Sequence, residues 1–176
     1  YDGNGCCDIG IFREGQGLWA NRGITRTYFG VLGDRPVPGY YQGQRAKNIA
    51  IFRGSNALWA IRNVSRIYFG TSSDFPVPED YDGDGTWSVG ILRPNTGLWA
   101  IKDTTRVYFG SAIDQPVPAD YEGNGTAGIG IFRETSGLWG VRSITRVYFG
   151  TSGDIAVAAR PCNPAPATPT PTSTPT

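Results

Sequence analysis

Three aspartates at alternate positions, Asp80, Asp82 and Asp84, with glycine at positions 83 and 85, are the residues of this chain best equipped for ligand chemistry. A hard cation takes six or more oxygens, and alternating carboxylates separated by glycine can wrap around it. Asp120, Glu122 and Asn124 repeat the spacing forty residues later with one charge fewer. Acid–base catalysis has less to work with. Histidine is absent from all 176 residues, which removes the commonest general base and the commonest transition-metal ligand. Asp and Glu remain, but no segment combines a distinctive carboxylate pair, or a nucleophile with a base, so no enzyme is expected.

These residues sit in a periodic chain. Shifted by 40, the sequence matches itself without insertion or deletion over units 1–40, 41–80, 81–120 and 121–160. Such a period marks a propeller, solenoid or array. Tyr1, Tyr41, Tyr81 and Tyr121 open the units; Arg13, Arg53, Arg93 and Arg133 follow, then Trp19, Trp59, Trp99 and Trp139, a Tyr-Phe-Gly run, and Asp34, Asp74, Asp114 or Asp154. The chain opens within this motif, which is expected of a processed or truncated end.

Within a unit, runs such as Gly130-Ile131-Phe132-Arg133, residues 137–142 and residues 145–150 are rich in β-branched and aromatic residues and separated by Gly, Ser, Asn and Thr. They predict a three-strand meander. Pro76-Val77-Pro78 is a fourth extended piece, restricted by its prolines to an edge, and no helix is expected. One small sheet cannot bury both faces, so the units must stack or ring an axis. The expected fold is all-β: a four-bladed propeller-like ring over residues 1–160, with an open stack as the alternative, followed by an extended tail over 161–176. Asp154-Ile155-Ala156-Val157-Ala158 is a spare strand that could complete the first blade or pass to a neighbouring molecule.

Trp19, Trp59, Trp99 and Trp139 are expected as the repeat core, packed between blades, with sugar-stacking platforms as the competing role. Arg26, Arg66, Arg106 and Arg146 are expected to pair with the repeated aspartates, one structural pair per unit.

Asp80-Tyr81-Asp82-Gly83-Asp84-Gly85, followed by Val89-Gly90-Ile91-Leu92-Arg93, resembles the VCBS and FG-GAP repeats of extracellular β-propellers, and the resemblance spans all four units. These families occur in adhesins, integrin-type heads and lectins, with no shared activity, and the resemblance implies a calcium loop, Asp-x-Asp-x-Asp-Gly-x-x-Asp, between two strands of a blade. Asp80, Asp82 and Asp84 match it, with Ser88 in the last Asp position; in the fourth unit Asp120, Glu122 and Asn124 are followed by Gly128. The first unit keeps Asp2, Asn4 and Asp8, with Arg160 in the leading register if the ring closes, and Gln42, Gln44 and Asn48 leave the second uncharged. Calcium is thus a candidate at one or two loops. For the set as a whole, plain Gly/Asn/Asp turns are the preferred reading.

The three cysteines, Cys6, Cys7 and Cys162, flank the array. They do not match a zinc pattern. In a closed ring Cys162 could bridge Cys6 or Cys7 and staple the seam in an oxidising compartment, leaving one thiol over. From Pro161 the composition turns to Pro, Ala and Thr, an extended linker whose Thr168, Thr170, Thr172, Ser173, Thr174 and Thr176 resemble the O-glycan acceptors of a mucin-type stalk. Asn63-Val64-Ser65 and Asn124-Gly125-Thr126 are weaker N-glycosylation sequons.

Sixteen basic against fifteen acidic residues leave a net charge of +1, with no field to gather nucleic acid or an anionic membrane, and no apolar run is long enough to span a bilayer as a helix. The expected role is a non-catalytic extracellular or cell-surface module whose partners are copies of itself in a glycosylated fibre or matrix. A lectin or adhesin binding sugars is the alternative.

Overall fold

Short runs in which β-branched and aromatic residues face small ones across glycine turns become strands throughout the chain. The structure, a computed structural model, describes residues 1–3, 8–43 and 46–157. Its strands are β1 (Gly10–Arg13), β2 (Leu18–Asn21), β3 (Thr25–Tyr28), β4 (Asp34–Pro36), β5 (Ala50–Arg53), β6 (Leu58–Ile61), β7 (Ser65–Tyr68) and β8 (Phe75–Pro76). They continue with β9 (Gly90–Arg93), β10 (Leu98–Ile101), β11 (Thr105–Tyr108), β12 (Gln115–Pro116), β13 (Gly130–Arg133), β14 (Leu138–Val141) and β15 (Thr145–Tyr148). Four antiparallel sheets follow one another in a ring as a four-bladed β-propeller. Their strand orders are β1-β2-β3, β4-β5-β6-β7, β8-β9-β10-β11 and β12-β13-β14-β15.

The blades are offset from the sequence units. β4 lies at the end of the first unit but pairs with β5 of the second, matching Asp34 to Arg53 and Pro36 to Ile51. β8 and β12 repeat this on β9 and β13. The prolines of these strands are tolerated because each strand is an edge. The strand of the second unit is Phe75–Pro76, one residue earlier than Pro76-Val77-Pro78, and Val77 continues the ladder by donating its N–H to Gly90 O at 2.8 Å. Contrary to the expectation of no helix, one-turn 3-10 segments at Glu14–Gln16, Gly54–Asn56 and Glu134–Ser136 close three hairpins. A turn this short needs no 3.6-residue periodicity, which is why the pattern is silent about it.

Every blade has one aromatic and one aliphatic face. Phe52 and Trp59 stand opposite each other on β5 and β6, ring centroids 5.2 Å apart. They pack on Val89, Ile91 and Ala100 of the next blade. Trp19, with Phe12 and Phe29, meets Ile49, Ile51 and Ala60 in the same way, and Leu92 and Trp99 meet Ala127, Ile129 and Ile131. Each buried aliphatic or aromatic side chain contributes roughly 1.5–3 kcal/mol, so these three junctions carry most of the fold's stability. The glycine of Tyr-Phe-Gly is needed here. Gly70 has φ 102°, and a Cβ on it would lie 3.1 Å from Ile91 Cγ2 of the next blade and 3.2 Å from Asp74 Oδ2.

The seam between the fourth and first blades differs. Ile51 is 1 % exposed, whereas Ile11, its equivalent on the first blade, is 54 % exposed. On the other side Phe149 is 78 % exposed, and Trp139 is the only one of the four repeated tryptophans that is not buried. An open groove of about 690 Å³ runs over Ile9, Ile11, Ala20 and Ile24.

Candidate functional site

The aspartate that follows Tyr-Phe-Gly binds the next blade. Asp34 receives Arg53 in a fork, Nε to Oδ1 at 2.7 Å and Nη2 to Oδ2 at 2.9 Å, and also accepts the Val31 N–H at 2.8 Å. Asp74 takes Arg93 at 3.0 Å on both oxygens. Asp114 takes Arg133 at 2.7 and 2.9 Å and adds the Ser111 hydroxyl at 3.0 Å. The three carboxylates are buried while the arginines keep about a third of their surface in solvent (31, 34 and 32 %). Bonding to Asp34, Asp74 and Asp114 raises the already high affinity of Arg53, Arg93 and Arg133 for their protons. Burial pushes the Asp114 carboxyl up, but the bonds from Arg133 and Ser111 outweigh it and hold the group below its ordinary value.

This corrects the expected partners. Arg26, Arg66, Arg106 and Arg146 stand opposite Ala20, Ala60, Ala100 and Gly140 on the outer strands and are exposed. The true pairs hold a constant separation of nineteen residues. That spacing was visible in the sequence, but it crosses a unit boundary.

In the acidic loop, Asp80, Asp82 and Asp84 place one carboxylate oxygen each within 4.8 Å of one another. Asp80 is the organiser: it accepts the Gly83 N–H at 2.7 Å and the Gly85 N–H at 2.8 Å. Its carboxyl is pushed up, first by burial and then by the negative charges of Asp84 and Asp82, against the pull of the two amides. A cation would reverse both effects, and three convergent carboxylates are a donor set that suits a hard divalent ion. Ser88 lies on the adjoining bridge, its N–H on Glu79 O at 2.8 Å.

The fourth loop has the same backbone and different electrostatics. Asp120 accepts the N–H groups of Gly123 and Gly125 at 2.8 Å and of Asn124 at 3.1 Å, and these amides, that of Gly125 foremost, hold its carboxyl below its ordinary value. Asn124 spends its amide on Glu122 at 3.4 Å and its oxygen on the Thr126 N–H at 2.8 Å. This loop closes on itself. In the second unit Asn48 does the closing, through Gln42 at 3.0 Å and the Tyr41 N–H at 3.1 Å. In the first, Asp8 takes the amino group of Tyr1, and Asp2 is exposed.

Trp19, Trp59 and Trp99 are buried in the junctions and have no open face for a sugar. Trp19, Trp59, Trp99 and Trp139 each donate Nε1–H to the carbonyl of the phenylalanine ten residues on, at 2.9, 3.1, 3.0 and 3.0 Å. The repeated exposed aromatics are Tyr28, Tyr68, Tyr108 and Tyr148, last residues of the outer strands, which sequence reasoning missed although strand alternation points them outward. Tyr28 and Tyr68 flank a cleft between the first two blades that also contains Asn56, Arg53 and Arg66.

Asn63 and Asn124 are both exposed. Asn4, Cys6, Cys7, Gln44, Arg160, Cys162 and the tail positions Thr168, Thr170, Thr172, Ser173, Thr174 and Thr176 lie outside the described residues. Among the described residues no helix is long and apolar enough to cross a membrane. Comparisons of the chain with protein-family models, curated proteins and solved structures find no match.

Proposed function

We propose that this chain is a non-catalytic structural module of an extracellular or cell-surface assembly, a protomer that joins with copies of itself in a glycosylated fibre or matrix. The observation that carries the reading is the pair of exposed blade faces, Ile9, Ile11 and Ile24 at one end of the array and Trp139, Val147 and Phe149 at the other. Contiguous apolar faces of this kind mark interaction surfaces. The Pro/Thr tail supplies O-glycan acceptors, and no histidine is present for catalysis. On this reading the repeats are of the VCBS/FG-GAP kind with degenerate loops, and Asp80, Asp82 and Asp84 hold calcium as a structural ion. Electron microscopy of the purified chain with its tail intact tests it: filaments or ordered arrays are expected, and dispersed single particles at high concentration overturn it.

A second reading, a carbohydrate-binding propeller, is favoured by the cleft between Tyr28 and Tyr68, where two exposed aromatic rings flank Asn56 and two arginines. A glycan array in calcium with no bound sugar removes it.

A further inference from the structure

The chain carries the two halves of a fourth junction without joining them. By the register of β4 on β5, residues 154–156 would match Arg13, Phe12 and Ile11, as Asp34, Arg35 and Pro36 match Arg53, Phe52 and Ile51. Every element of that match is present and unused. Among the described residues, Arg13 bonds only the exposed Gln16, at 3.2 Å, and Asp154 accepts only the Thr151 N–H, at 2.7 Å. Ile155 is 82 % and Val157 83 % exposed, although Val37, Val77 and Val117 at the latter position are buried. A Cβ on Gly150 would find Asp154 and Phe132 as its nearest neighbours, with no isoleucine of another blade among them, unlike Gly30, Gly70 and Gly110.

We infer that a second copy of this chain fills the seam: residues 154–157 of one molecule add to the free edge of β1 in the next, Asp154 forks onto Arg13, and the Trp139–Phe149 face covers Ile9, Ile11 and Ile24. Continuity with the three internal junctions points to the occupant, since the same two faces are packed together and the same ion pair is formed three times within one chain. The donated strand is adapted for it. Ala156 and Ala158 replace the two prolines that flank Val37, Val77 and Val117, and without proline a strand keeps the N–H groups that an edge needs for pairing. The inference rests on the proposed structural role and names its interface.

Charge exchange tests it, read by sedimentation velocity over a range of concentrations. The wild-type chain is expected to form concentration-dependent oligomers. R13D and D154R should each self-associate about tenfold or more weakly, with near-UV circular dichroism reporting the intact fold. An equimolar mixture should regain oligomers, because both mixed contacts pair opposite charges, and the R13D/D154R double variant should regain them alone. Single variants that assemble like wild type, or a mixture that fails to recover, overturn the interface while leaving the structural role standing. A double variant that is restored only as a monomer shows self-closure and also overturns it. A wild-type chain that stays monomeric at every concentration removes both the interface and the proposed role.

Discussion

Arg53 and Asp34 form a two-bond fork, 2.7 and 2.9 Å, across the boundary between two sequence units. The pair ties the turn after one blade's last strand to the first hairpin of the next blade. Because the carboxylate is buried and also caps the Val31 N–H, its loss would strand a half-exposed guanidinium and an unsatisfied amide. The same geometry at Asp74 and Asp114, and its absence at Asp154, yields an internal control.

D74A should therefore cost about 2–3 kcal/mol, less than the loss of a fully buried pair because Arg93 stays partly in water. D154A, measured at a concentration too low for association, should cost nothing measurable. Urea unfolding of both variants checks this, and equal losses would mean that the seam is engaged within one molecule.

Stability should fall in acid through Asp114. Its folded-state pKa is depressed, so its contribution is complete above the ordinary carboxylate value of about 3.9 and is lost as pH falls through the lower folded value. D114N should be less stable than wild type at pH 7 and show a smaller further loss between about pH 4 and pH 2. Thermal midpoints across that range provide the comparison, and parallel curves for the two proteins would contradict the assignment.

Calcium should stabilise the chain through the third loop. At about a hundredfold excess over its dissociation constant the gain is about 2.7 kcal/mol. D82N and D84N should each diminish the gain, whereas E122Q in the fourth loop should leave it unchanged. Differential scanning calorimetry with and without calcium distinguishes these cases; an equal response of all four proteins would place the ion elsewhere.

The tryptophans should rank by junction. W99A removes a buried indole whose Nε1–H reaches Phe109 O at 3.0 Å, and should cost about 3–5 kcal/mol. W139A removes the same bond from a partly exposed ring at the seam and should cost clearly less at a concentration where the chain is monomeric. Denaturant midpoints of the two variants decide it.

Much of this architecture is local and was therefore legible in the amino-acid order. The period places the four repeated tryptophans and the three-strand meander of each unit, because β-branched runs between glycines have few other conformations open to them. The resemblance at Asp80 to Gly85 likewise pointed to an acidic loop, since alternation and glycine are properties of neighbours in the chain. Three matters required the tertiary structure. Asp34 chooses Arg53 over Arg26 because a strand crosses to the following blade, so that a spacing of nineteen residues present in the sequence becomes a contact only across the unit boundary. Asp80 and Asp120 share their amide bonds yet shift in opposite directions, because burial and neighbouring charge are set by packing. Ile11 and Ile51 occupy equivalent places in the repeat, but only Ile51 has a blade against it. A repeat specifies what each face needs, and only the assembled fold determines which face still lacks a partner.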